Sequence, residues 1–291
     1  GLHPVSIRIR FVAGLCVTGL AVSSCTIGEV GETPVSTLVV TSTAQPMPAT
    51  TEASASSDAQ LQELVDAAVA TFGGGAALAV ADGAVITAGE AGGAPVAWST
   101  IKVPIAVAAL RQDPGLAPVA GEAIRSSDNA AAEQLWAALG EPTRAAATVE
   151  SVLAEAGAPV RVSHEHTRPG FSSFGQTAWP LDAQARFAAQ LPCLPGTGEV
   201  LADMGMIVQR YGLGQLEGAR FKGGWGPEPD GRYTVRQFGL VPGAAAGTGD
   251  VAVSLWVMPA SGTYEDAQAM SDLLAAGLPD VLGSVPAHSC D

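Results

Sequence analysis

The sequence predicts an α+β protein: a five-stranded antiparallel sheet flanked by helices, with an all-helical lobe beside it. Three observations predict it. Hydrophobic periodicity runs in the order helix, two strands, a block of helices, three strands, helix. The strand-like runs lie toward the two ends of this order, so one sheet assembled from both chain ends is the simplest packing. The chain has 291 residues, 47% hydrophobic and 14% charged, ample for one large core.

The elements follow from local pattern. Residues 58–72 set Leu61, Leu64, Val65, Ala68 and Val69 at helical spacing. After Gly73-Gly74-Gly75, apolar runs at 76–81 and 84–88 flank Asp82-Gly83, a hairpin signal. Trp98-Ser99-Thr100-Ile101-Lys102 opens a helix whose body, 103–110, is apolar almost throughout and should be buried. Residues 128–139 and 142–155 read as helices, the second closed by Gly157. Residues 158–178, with Pro159, Pro169 and Gly170, are irregular. Helices are expected at 180–191 and 199–211, strands at 219–225, 232–241 and 250–258, and a last helix at 264–276. No internal repeat is visible.

Residues 1–24 read as an export signal: Arg8 and Arg10 precede an apolar run at 11–22 that is short for a membrane span. Val22-Ser23-Ser24-Cys25 places small residues before a cysteine, which makes Cys25 the candidate lipidated residue; an ordinary secretory signal cut nearby is the alternative. Residues 25–57, rich in Thr, Ser, Ala and Pro, read as a flexible linker, and 58–291 as the folded domain. The expected location is the outer face of the cell membrane through a lipid anchor, or outside the cell without one. Cys16 falls in the signal, so Cys193 and Cys290 remain as an even pair, read as a disulfide. The net charge of −14 argues against nucleic-acid partners and against docking on anionic membranes. A monomer without cofactor or metal is expected.

The chemistry centres on Ser99 and Lys102. A spacing of three puts hydroxyl and amine on one helix face. The apolar helix carries the lysine into a dry place, where desolvation lowers its pKa and a neutral amine can take a proton from a hydroxyl. The helix start offers N–H groups to an oxyanion. Of the 14 basic residues only Lys102 and Lys222 are lysines; the other twelve are arginines, which cannot act as bases. Arginine bias of a high-GC genome is the bland alternative.

Further along come Ser127-Asp128-Asn129, at a helix start, and Lys222-Gly223-Gly224, on an expected strand. Alone, the first is a good helix cap and the second a strand kink. Together with Ser99 and Lys102 they resemble the S-x-x-K, S-D-N and K-T-G set of serine β-lactamases and penicillin-binding proteins, in the right order and settings. With the export signal, this resembles an exported lipoprotein of actinobacterial type.

The resemblance spans nearly all of 58–291 and implies roles for individual residues. Ser99 is the acylated nucleophile, Lys102 its base or relay, and Ser127 the proton donor to the leaving group. Lys222 holds Ser127 and attracts a substrate carboxylate. Asn129 bonds the substrate's amide side chain, Gly224 and Trp225 border the substrate, and the N–H groups of Ser99 and Trp225 form an oxyanion hole. Arg220, Arg232 and Arg236 are weaker candidates for the anion site. The implied substrate is a small β-lactam or a peptidoglycan-like acyl compound.

Three departures weaken the parallel. Gly223 replaces the threonine of the third motif, the interval between the first two motifs is short, and no E-x-x-L-N segment precedes Pro180. In class A β-lactamases that glutamate primes the deacylating water; here Glu165, between His164 and His166, stands in the right interval without the right neighbours. The two histidines mimic a metal pair but have no third ligand. The expected function is a serine acyl-enzyme hydrolase with weak deacylation. The rival is a catalytically degenerate protein of this fold that serves as a binding or scaffold module of the cell envelope.

Overall fold

The computed structural model describes residues 50–81, 83–91, 93–243 and 249–290. The export signal, Cys25 and the linker up to residue 49 lie outside the described residues, as does Asp82 of the hairpin.

One antiparallel sheet, in the order β2-β1-β5-β4-β3, joins the two halves of the chain. β1 (Gly75–Val80) pairs with β2 (Ile86–Gly89) as a hairpin, and its other edge pairs with β5 (Asp250–Met258), setting Leu78 opposite Leu255. β4 (Tyr233–Pro242) lies beyond β5, and β3 (Arg220–Pro227) forms the edge that faces the site. β1 is buried at every position and β5 at all but its first, because helices cover both faces of the sheet centre. On one face lie α1 (Thr50–Phe72), α8 (Tyr264–Ala276) and α9 (Leu278–Leu282). On the other lies α6 (Leu181–Gln190), with Leu181 and Ala185 against Trp256 and Met258.

The helical lobe is built around α2 (Lys102–Gln112), buried from Lys102 through Leu110. Around it pack α3 (Ala117–Arg125), α4 (Asn129–Ala138), α5 (Pro142–Glu155) and α7 (Gly198–Met204). Two expected boundaries move. α1 begins at Thr50, so it takes in the last part of the stretch read as linker, where residues 50–57 contain neither proline nor glycine. α7 ends at Met204 rather than continuing to 211: Gly205 caps it, and the Val208 N–H bonds the Arg125 carbonyl at 2.9 Å. α3 and α9 were not anticipated. Cys193 and Cys290 form a disulfide, with the His288 Nε2 2.9 Å from the Cys193 sulfur. No helix among the described residues is long and apolar enough to cross a membrane.

Candidate active site

Ser99 sits in a 3₁₀ turn, Trp98–Ile101, that runs directly into α2. Several contacts fix this turn. The Trp98 indole N–H donates to the Thr234 hydroxyl at 3.1 Å. The Thr100 hydroxyl bonds the Ala97 carbonyl and accepts from the Gln184 amide at 3.0 Å. The backbone of β3 closes from the side: a Cβ on Gly224 would lie 2.7 Å from the Ser99 nitrogen and 3.0 Å from the Ala97 carbonyl oxygen. Only glycine lets strand and turn approach so closely.

Among the described non-glycine residues, Trp98 and Ser127 alone have positive φ, 50° and 57°. One precedes the expected nucleophile and the other is the expected proton donor. Such strained backbone concentrates at functional sites, where surrounding structure holds it in place.

Both lysines converge on Ser127. Lys222, 1% exposed, donates to the Ser127 Oγ at 2.9 Å and to the Gly223 carbonyl at 2.8 Å. Lys102, 2% exposed, donates to the Ser127 carbonyl at 2.6 Å and to Asn129 Oδ1 at 2.8 Å, with the Ser127 Oγ at 3.4 Å. Asp128 keeps the capping role, its carboxylate accepting the Ala131 N–H at 2.7 Å. One stretch thus starts a helix and delivers two polar groups to the site.

Burial lowers the Lys102 ammonium from 10.5 to about 8, against the opposing pull of the Asp128 and Glu133 carboxylates. Burial drives Lys222 well below the ordinary lysine value, and the positive charge of Lys102 pushes it further in the same direction. The Ser99 hydroxyl makes no hydrogen bond to another described residue, and the Lys102 amine is turned toward Ser127 and Asn129.

A cavity of about 520 Å³ opens over these groups, lined by Ser99, Lys102, Ser127, Asn129 and Trp225 together with residues from 166–176. That irregular segment is tied to the chain just before Ser99: the Ala97 N–H donates to the Thr177 carbonyl at 2.7 Å and the Trp179 N–H to the Pro95 carbonyl at 3.0 Å. Phe171 meets Trp98 edge-on with centroids 5.6 Å apart, and the Arg168 guanidinium lies 4.5 Å from the Phe171 centroid. Trp225 stacks on Tyr264 at 5.6 Å, so it forms a wall and leaves the cavity open.

Four weaker candidates lie elsewhere. Arg220 is paired with Asp250, and Arg232 with Glu90 and Asp230, and neither lines the cavity. Glu165 is exposed and off the cavity wall. Arg236 is fully buried, donating to the carbonyls of Pro95, Val96 and Trp179 and to Gln184 Oε1, and burial lowers it to about 9. It holds the approach to the Ser99 turn. In their place the cavity wall brings in Glu133, His166 and Gln176, which motif reasoning did not single out as site residues. The Gln176 Nε2 is buried with no partner among the described residues.

This fold is β-lactamase-like. The solved structure of a class A β-lactamase from Bacteroides cellulosilyticus superposes with a TM-score of 0.63 at 16% identity, over 78% of this chain and 99% of that one. A β-lactamase from Streptosporangium roseum gives 0.60 at 18% identity, over 78% and 100%. One from Chitinophaga pinensis gives 0.60 at 16%, over 76% and 98%. No family model and no curated protein matches the sequence. At such identities the likeness shows the fold.

Proposed function

We propose that the protein is a serine acyl-enzyme hydrolase acting on a β-lactam or a related amide or ester carbonyl. The observation that carries this reading is that both lysines of the chain bond the hydroxyl of Ser127, which lines the same cavity as Ser99. Hydrogen bonds of a catalytic set are often long before substrate arrives, so a Ser99 hydroxyl still unbonded is compatible with this role.

In the proposed cycle neutral Lys102 takes the Ser99 proton as Oγ bonds to the carbonyl carbon. The Ser99 N–H, with that of Trp225 beyond Gly224, receives the developing oxyanion. The carbonyl–N or carbonyl–O bond breaks, and the leaving atom takes the Ser127 proton, which the Lys102 ammonium replaces. Water then adds to the acyl carbon, releasing the acid and restoring the Ser99 hydroxyl. This last step is expected to be slow, because Glu165 stands off the cavity wall. The proposed setting is the outer face of the cell membrane, with Cys25 as the anchor.

A fluorescent penicillin or a fluorophosphonate tests the reading. The fluorophosphonate should label wild-type protein at Ser99 and fail on Ser99→Ala, and any penicillin adduct should be lost in the same variant. Mass spectrometry over time then separates a stable adduct from turnover. Wild-type protein that takes up neither probe overturns the acyl-enzyme reading and leaves a binding module.

A further inference from the structure

We propose that this cavity selects acyl donors that carry no negative charge, and disfavours those with a carboxylate beside the scissile bond. The inference rests on the acyl-enzyme reading and names its substrate class.

The argument is an accounting of cations. Lys102 is the one lysine or arginine on the cavity wall among the described residues, and its amine is directed at three protein oxygens. Lys222 is buried behind the wall and held by Ser127 and Gly223. On β3 and next to and within β4, Arg220 and Arg232 are neutralised by their own carboxylates, and Arg236 is spent on carbonyls and Gln184. Arg168 lies against the rings of Phe171 and Trp98 and is not on the wall.

The strand offers no neutral anchor either. A Cβ on Gly223 would meet only ordinary contacts, the nearest 3.6 Å away at Gln237, so a hydroxyl-bearing side chain has room there and is absent. Gln237 beyond it accepts from the Leu213 N–H and donates to the Tyr211 carbonyl, at 2.7 and 2.9 Å. What the wall does carry is Glu133, its one carboxylate among the described residues, beside the rings of Trp98, Phe171, Phe174 and Trp225. An anionic substrate would lose hydration, meet a like charge and find no guanidinium.

Two esters with the same leaving group test this on the full chain: p-nitrophenyl butyrate, which is neutral, and mono-p-nitrophenyl succinate, which is anionic. Release of the first p-nitrophenol reports acylation even if deacylation is slow, and Ser99→Ala supplies the blank. The neutral ester should acylate Ser99 at least about tenfold faster. Glu133→Gln should narrow that ratio by about threefold, the order expected from removing one unit charge across a cavity open to water. Glu133→Lys should narrow it further.

An anionic ester that reacts as fast as the neutral one overturns the inference, and so does a ratio indifferent to Glu133→Gln. A preference for the anion that disappears in Arg168→Ala would place the substrate's carboxylate on that guanidinium instead. If neither ester nor the fluorophosphonate reacts at Ser99, the acyl-enzyme reading falls, and this inference with it.

Discussion

In the proposed cycle, the pH dependence of acylation follows from the burial of one amine. An ordinary lysine titrates near 10.5, so at pH 7 about one amine in three thousand is neutral. Burial brings Lys102 to about 8. At pH 7 about one amine in ten is then neutral, a gain of roughly 300-fold in the form able to accept the Ser99 proton. The sign follows directly. The reactive form is the deprotonated one, so the acylation rate rises with pH through about 8 and then levels. Stopped-flow acylation by a chromogenic ester, from pH 5.5 to 9.5 under single-turnover conditions, should show a unit slope in log rate and a break near 8. Lys102→Arg keeps a positive charge and removes the base, so it should cost on the order of 10²–10⁴ in rate. Glu133→Gln removes a carboxylate that holds the ammonium up, so its break should fall at lower pH than the wild type's. A flat profile, or a break that does not move in Glu133→Gln, would refute this role for Lys102.

Other perturbations reach different parts of the structure. Lys222→Met leaves the Ser127 hydroxyl with only the longer contact to Lys102; acylation should slow by about 10²-fold while thermal unfolding, read by circular dichroism, stays cooperative. Gly224→Ala forces a Cβ to within 2.7 Å of the Ser99 nitrogen, so it should destabilise the fold by about 1–3 kcal/mol in urea titration and suppress fluorophosphonate labelling. Cys193→Ser releases a link across 97 residues, which should cost about 2–5 kcal/mol in the same titration without moving the acylation break. Lys102 also bears on stability: its folded value lies below its unfolded one, so unfolding takes up a proton between about pH 8 and 10.5, and the unfolding free energy should rise with pH across that window.

The sheet and its flanking helices were legible because their signals are local and strong. The strand at 250–258 and the helices at 142–155 and 264–276 match the structure residue for residue. α3 escaped because Pro114-Gly115 and Pro118 read as loop, and because its buried face is made of Ala120, Gly121 and Ala123 beside one large residue, Ile124. α7 was overextended because Met206 and Val208 look like a helical apolar face, whereas both point to solvent, 51% and 66% exposed. In the site, short motifs located the two lysines and Ser127, since their spacing carries meaning. Glu133 looked like any surface acid of a helix, and His166 and Gln176 sit in a segment without periodicity. Contacts distant in sequence, between 95–97 and 177–179 and between Trp98 and Phe171, bring that segment over Ser99. The positive φ of Trp98 and Ser127 leaves no trace in composition, because neither residue is a glycine.

β5 is among the last strands in the sequence and lies between β1 and β4, so it alone connects the hairpin from the amino-terminal half to the strands that carry Lys222. A ribosome that has made everything up to β4 has produced Ser99, Lys102, Ser127 and Lys222 without the strand that joins the two halves of the sheet. On the proposed function, shortened chains ending before Met258 are expected to be inert even when they are compact.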